Sequence, residues 1–248
     1  MMKYLFYLIT ALFAVSCAHT EEKPTADDIV NEAIEASGGE SYNDATISFR
    51  FRDMEYKSVR KGGTYLYERF QKDSADNLIT DELSNEGFER KINDSLVQLP
   101  DSLKQKYSNS VNSVHYFVQL PYGLNAEAAN KELIGKDTID GKEYYEIKVT
   151  FDAEGGGTDH EDEYVYWIDT QHYEVDYLAY NYEVNGGGVR FRKAYNPRTV
   201  GGIRFVDYEN YKYDDLAVKL SKLDSLFTAG KLQKVSTIQT EAIEVTHD

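Results

Sequence analysis

YVYWIDTQHYEVDYLAYNYEVNGGGVRFRKAY, residues 164–195, consists of three runs of aromatic and β-branched residues separated by two turns. Such residues suit a pleated, half-buried backbone. TQHYE at 170–174 and NGGG at 185–188 supply the punctuation. The prediction is an antiparallel meander with strands at 163–169, 174–184 and 189–195. In a meander the end of the second strand lies beside the start of the first. Gly186–Gly188 therefore share a rim with Gly155–Gly157. Glycine permits positive φ and close backbone approach, so this rim is either a ligand entrance or two wide hairpin turns.

Runs of the same kind lie on both sides: TISFRFR (46–52), TYLYERF (64–70), YYEIKVTF (144–151), IRFVDYENYKY (203–213) and a last strand near 232–245. Helical patterns are fewer. In TADDIVNEAIEASGG (25–39), Thr25 is the expected N-cap and Ile29, Val30, Ala33, Ile34 and Ser37 line one face, with Gly38–Gly39 as the stop. A helical interlude is expected near 101–132, including NAEAANKEL (125–133), and a short helix in SKLDSLFTAG (221–230). Strands and helices do not alternate regularly, which argues against a doubly wound or barrel α/β fold. A large antiparallel sheet with a few helices is expected.

The chain opens MMKYLFYLITALFAVS, followed by Cys17, its only cysteine. One lysine, an apolar stretch too short to span a bilayer and then small residues make a secretory signal. A small residue before a cysteine resembles a bacterial lipobox, which implies that Cys17 is acylated. The expected organisation is a signal peptide at 1–16, a lipidated terminus and tether at 17–28, and one α+β domain at 29–248. The formal charge is −16. A surface so acidic repels nucleic acid, which excludes that class of partner.

Two windows depart from the average. Residues 152–163 hold six acids and no lysine or arginine, whereas 185–206 hold Arg190, Arg192, Lys193, Arg198 and Arg204 and no acid. Arg190 and Arg192 either bridge to the acids two strands away or grip an anionic head group. The 21 tyrosines and single tryptophan offer amphipathic rings. Tyr177 and Tyr180 fall on opposite faces of one strand, and with Trp167 they are candidate cavity walls. His115 sits among aromatics, as a base or as a satisfied core histidine. DHEDE (159–163) matches no calcium-loop or zinc spacing, so neither metal nor cofactor is expected. No nucleophile elbow, P-loop or dinucleotide fingerprint occurs.

GGGTDHEDEYVYWID, VDYLAYNYEVNGGGVRFRKAYNPR and GGIRFVDYENYKY resemble an uncharacterised family of Bacteroidota lipoproteins, a domain of unknown function. The opening ADDIVNEAIEASGG is similar to the start of LolA- and LolB-like lipoprotein-sorting proteins. The resemblance implies an α+β half-barrel, a curved antiparallel sheet around helices with an apolar cavity. It further implies a monomeric outer-membrane lipoprotein binding a lipid or other amphiphile as carrier, sensor or chaperone. The alternatives are an envelope hydrolase using rim carboxylates with His115 or His160, and a surface interaction module.

Overall fold

The computed structural model describes residues 23–152, 162–183 and 186–247. Helix α1 (Ala26–Ala36) comes first, and its first three residues lie within the stretch assigned to the tether. Thr25 caps it reciprocally. The Thr25 hydroxyl accepts from the Asp28 amide, and the Asp28 carboxylate accepts from the Thr25 amide. Hydrogen bonds donated by the Thr25 hydroxyl and then by the Thr25 amide hold the Asp28 carboxyl below its usual range.

One sheet then forms from β1 (Ala45–Phe51), β2 (Met54–Lys61), β3 (Thr64–Lys72), β4 (Leu78–Ser84), β5 (Gly87–Ile92) and the short β6 (Ser95–Leu96). Helix α2 (Asp101–Val118) follows. The second sheet is built from β7 (Ala129–Ile139), β8 (Lys142–Phe151), β9 (Tyr164–Asp169), β10 (Val175–Tyr182), β11 (Gly188–Val200) and β12 (Ile203–Tyr213). After α3 (Leu223–Thr228), β13 (Gln233–Ile238) pairs with β12, and β14 (Glu241–His247) crosses to pair with β1. Each sheet has seven strands, all neighbours are antiparallel, and neither sheet closes among the described residues. This is an α+β half-barrel, as expected.

The predicted meander is present, with Tyr180 opposite Tyr164 on one side and Arg190 on the other. Alternation then sorts the side chains of the second sheet. Ile147, Val149, Tyr166, Ile168 and Leu178 face inward and pack on Ile29, Val30 and Ala33 of α1. Burying Ile29 and Val30 completely stabilises by roughly 1.5–3 kcal/mol each. Val165, Trp167, Tyr177, Ala179 and Phe191 face the other way, under Leu220 and Leu223 at α3.

Two expectations are corrected. NAEAANKEL is not helical along its length, because its second half is the start of β7. Alanine and glutamate favour helix, but Ala129 and Leu133 alternate onto the core face and pair with Phe151 and Ile147 of β8. Tertiary pairing outweighs propensities worth a few tenths of a kcal/mol per residue. The single last strand near 232–245 is two strands, broken at Gln239–Thr240 and placed in different sheets. Asp207 builds that corner. It accepts from Arg198 (3.0 Å), Asn196 (2.8 Å) and the Thr240 amide (3.0 Å).

Candidate ligand cavity

Helix α2 lies between the two sheets and shows each a different face. His115 and Phe117 are two residues apart, about 200° around the helix axis. His115 points to the first sheet and Phe117 to the second. Beside Phe117, between α2 and the inner face of β9–β13, lies a cavity of about 390 Å³. Val114, Phe117 and Val118 of α2, Phe51 at the end of β1 and Ile238 of β13 supply apolar wall. Tyr164, Tyr180 and Tyr182 supply the ring faces opposite.

Three arginines line this cavity, Arg52, Arg190 and Arg192, together with Asp162. Arg190 and Arg192 occupy alternate positions of β11 and so share its inner face. Arg192 is 8% exposed. Its Cζ lies 4.0 Å from the Phe117 ring centre and 5.1 Å from that of Tyr180. Its Nη2 donates to the Tyr180 hydroxyl at 2.7 Å, and its Nε is buried without an acceptor. Arg190 donates to the Val189 carbonyl and lies 5.0 Å from the Tyr182 ring. Arg52 lies 5.0 Å from the Phe51 ring. Among the described residues no carboxylate forms an ion pair with any of the three. The glycine run serves this wall. Gly186 and Gly187 take positive φ, and a Cβ at Gly188 would collide with the Tyr182 hydroxyl.

Of the residues selected from sequence, the structure brings Arg190, Arg192 and Tyr180 together. Trp167 and Tyr177 do not join them. Strand alternation sends both to the opposite face, where the Trp167 indole donates to Glu146 at 3.1 Å and Tyr177 packs on Tyr144 and Phe191. His115 is also elsewhere. Its Nε2–H donates to the Glu68 carbonyl at 3.2 Å, and its Nδ1 accepts from Gln119 at 3.3 Å. Gln119 in turn accepts from Arg60 at 2.6 Å, which fixes both the amide orientation and the imidazole tautomer. Burial pushes the His115 imidazole down to about 3, with nearby Arg60 acting in the same direction. It is a satisfied, neutral core histidine. Cys17, His160 and Gly155–Gly157 lie outside the described residues. Of the acids expected to face the basic window, Glu163 instead pairs with Lys148 at 2.5 Å. Sequence reasoning missed Arg52 and Phe117. The helical spacing between His115 and Phe117 was the available signal for the latter.

A second cluster was not foreseen. Carboxylate oxygens of Asp137, Glu146 and Asp224 lie within 4.8 Å of one another at the junction of β7, β8 and α3. Burial, then the hydrogen bond to Asp137, raises the Asp224 carboxyl to about 7. The folded form holds a proton that the unfolded chain releases near pH 4, so this site loses stability as pH rises from about 4 to 7. Asp224→Asn is expected to raise the melting temperature more at pH 8 than at pH 4.5, read by thermal denaturation at both. An equal change at the two pH values would refute the shared proton.

The fold is similar to that of a LolA superfamily protein from Nitrosomonas europaea, with a TM-score of 0.50 and 12% identity over 90% of this chain and 92% of that one. More distant are a DUF1329 family protein from Desulfovibrio piger and a structure from Vibrio parahaemolyticus. The first has a TM-score of 0.43 and 10% identity over 84% and 99% of the two chains. The second, provisionally named an outer membrane lipoprotein-sorting protein domain, has a TM-score of 0.41 and 11% identity over 81% and 96%. No curated protein matches in sequence. The profile of one family, described as of unknown function, spans residues 2–241, and the chain belongs to that family, DUF6503.

Proposed function

We propose that this chain is a lipid-anchored protein of the cell envelope that holds the apolar part of an amphiphile in the cavity beside α2. The cavity itself carries the reading: apolar walls from both sheets and α2, with charge confined, among the described residues, to a few arginines and one acid. Its size falls in the range of small-molecule sites, about 300–1,000 Å³. The likeness to a LolA superfamily fold supports it. The protein acts as carrier, sensor or chaperone, as a monomer at the outer membrane. A hydrolase built on His115 finds no support, since that ring is hydrogen-bonded on both nitrogens and lies away from the cavity. Native mass spectrometry of the purified chain tests the reading. Co-purified or added lipid should be retained one to one, and a chain that binds no amphiphile would overturn it.

The anchor rests on Cys17 after the apolar leader. Cys17→Ser is expected to move the protein from the membrane fraction to the soluble fraction, or to stall its processing. A single acyl chain holds a protein to a membrane only marginally, so stable anchoring requires multiple acylation. A wild-type protein that is soluble and takes up no labelled fatty acid would refute the anchor.

A further inference from the structure

We infer that the cavity beside α2 selects an amphiphile with one apolar chain and an anionic head, gripped by Arg192 with Arg190 and Arg52. This inference rests on the proposed amphiphile binding and names its ligand class.

Charge is the first argument. A buried cation without a counter-ion is costly, and burial of an ion is tolerated when a partner and hydrogen bonds replace water. Arg192 is buried, its Nε has no acceptor, and no carboxylate among the described residues pairs with it. The rings of Phe117 and Tyr180 surround the guanidinium. The N–H donors lie in the guanidinium plane, and an arginine fork with unused donors matches a carboxylate or phosphate. Arg190 and Arg52 add positive charge along the same wall, in a chain whose formal charge is −16. Asp162, buried at the same cavity, is the one acid there among the described residues and favours a head group of low charge over a multiply charged one.

Size is the second argument. A volume of about 390 Å³ lies near the small end for ligand sites. It has room for one chain and not for the several chains of an acylated lipoprotein N-terminus. The apolar wall of Val114, Phe117, Val118, Phe51 and Ile238 takes the chain.

The test uses the exported Cys17→Ser chain and four probes: palmitate, hexadecanol, inorganic phosphate and vesicles of diacyl phosphatidic acid. Binding is read by native mass spectrometry and by calorimetry. Palmitate is expected to bind one to one and at least tenfold more tightly than hexadecanol, the scale of a charge-assisted hydrogen bond. Arg192→Met should abolish that preference. Arg52→Ala, a change on the exposed rim, should reduce the preference and keeps the inference testable where Arg192→Met does not fold. Equal affinity for palmitate and hexadecanol would overturn the anionic head while leaving the proposed function intact. Inorganic phosphate bound as tightly as palmitate, or a preference for the diacyl lipid, would overturn the single-chain ligand. Failure of all lipid probes would overturn the proposed function itself.

Discussion

Asp81→Ala is expected to destabilise the fold by about 3–5 kcal/mol, the range for removing one partner of a buried ion pair. Asp81 is fully buried and is held from both sides. Arg69 donates to it through Nε and Nη2 at 3.0 and 2.6 Å, and Arg90 through Nε and Nη2 at 2.6 and 2.9 Å. The three residues face each other across β3, β4 and β5, with Arg69 opposite Asp81 and Asp81 opposite Arg90. Arg69 also donates to Ser110 of α2 at 2.7 Å, and Arg90 packs 3.6 Å from the Tyr107 ring centre. The network therefore fastens α2 to the first sheet. Without the carboxylate, two buried guanidiniums remain with no counter-ion between them. Urea unfolding at neutral pH measures the effect. A loss below about 1 kcal/mol would mean that water reaches the site and that the triad contributes as little as a surface pair.

The second large effect is a dependence on acid. With the His115 imidazole held down to about 3 and the unfolded chain near 6.5, both forms are neutral above pH 7 and the ring has no effect on stability there. As pH falls from 6.5 towards 3 the unfolded chain takes up a proton that the folded chain refuses. Stability then declines by about 1.4 kcal/mol per pH unit from this residue, so about 2 kcal/mol is lost by pH 5. The refusal has a structural cause. Rings of Phe49, Tyr56 and Tyr67 surround the imidazole, and its Nδ1 already accepts a hydrogen bond from Gln119, so a second proton has no acceptor. His115→Gln keeps a donor and an acceptor but cannot titrate. The difference in unfolding free energy between pH 7.5 and 5.0 should shrink by about 2 kcal/mol in the variant. An unchanged difference would show that the ring titrates normally.

The meander at 164–195 and the helix opened by Thr25 were legible in the sequence because local chemistry writes them. Alternation, glycine turns and a capping box act over a few residues. The same locality explains why Arg190 and Arg192 could be paired in advance, as neighbours on one strand face. The strands β2, β4 and β5 were not legible. Their inward positions carry Arg60, Asp81 and Arg90, which read as solvent-facing until α2 and the partner arginine are in place. β7 escaped notice because alanine and glutamate favour helix and only the ladder to β8 outweighs that preference.

The candidate site divides along the same line. That Tyr177 and Tyr180 point to opposite faces follows from a period of two, but which face meets a cavity depends on where α2 and α3 dock. Helix α3 and the turn before it cover the Tyr177 and Trp167 side with Leu223 and Leu220, while α2 leaves open space beside Tyr180 and Arg192. His115 stood out among its aromatic neighbours, yet the helix turn that buries it carries Phe117 to the cavity. Residue types and strand order are properties of the chain read along its length. Burial, the absence of a counter-ion at Arg192 among the described residues and the cavity itself arise only when segments far apart in sequence, from β1 to β13, pack around one helix.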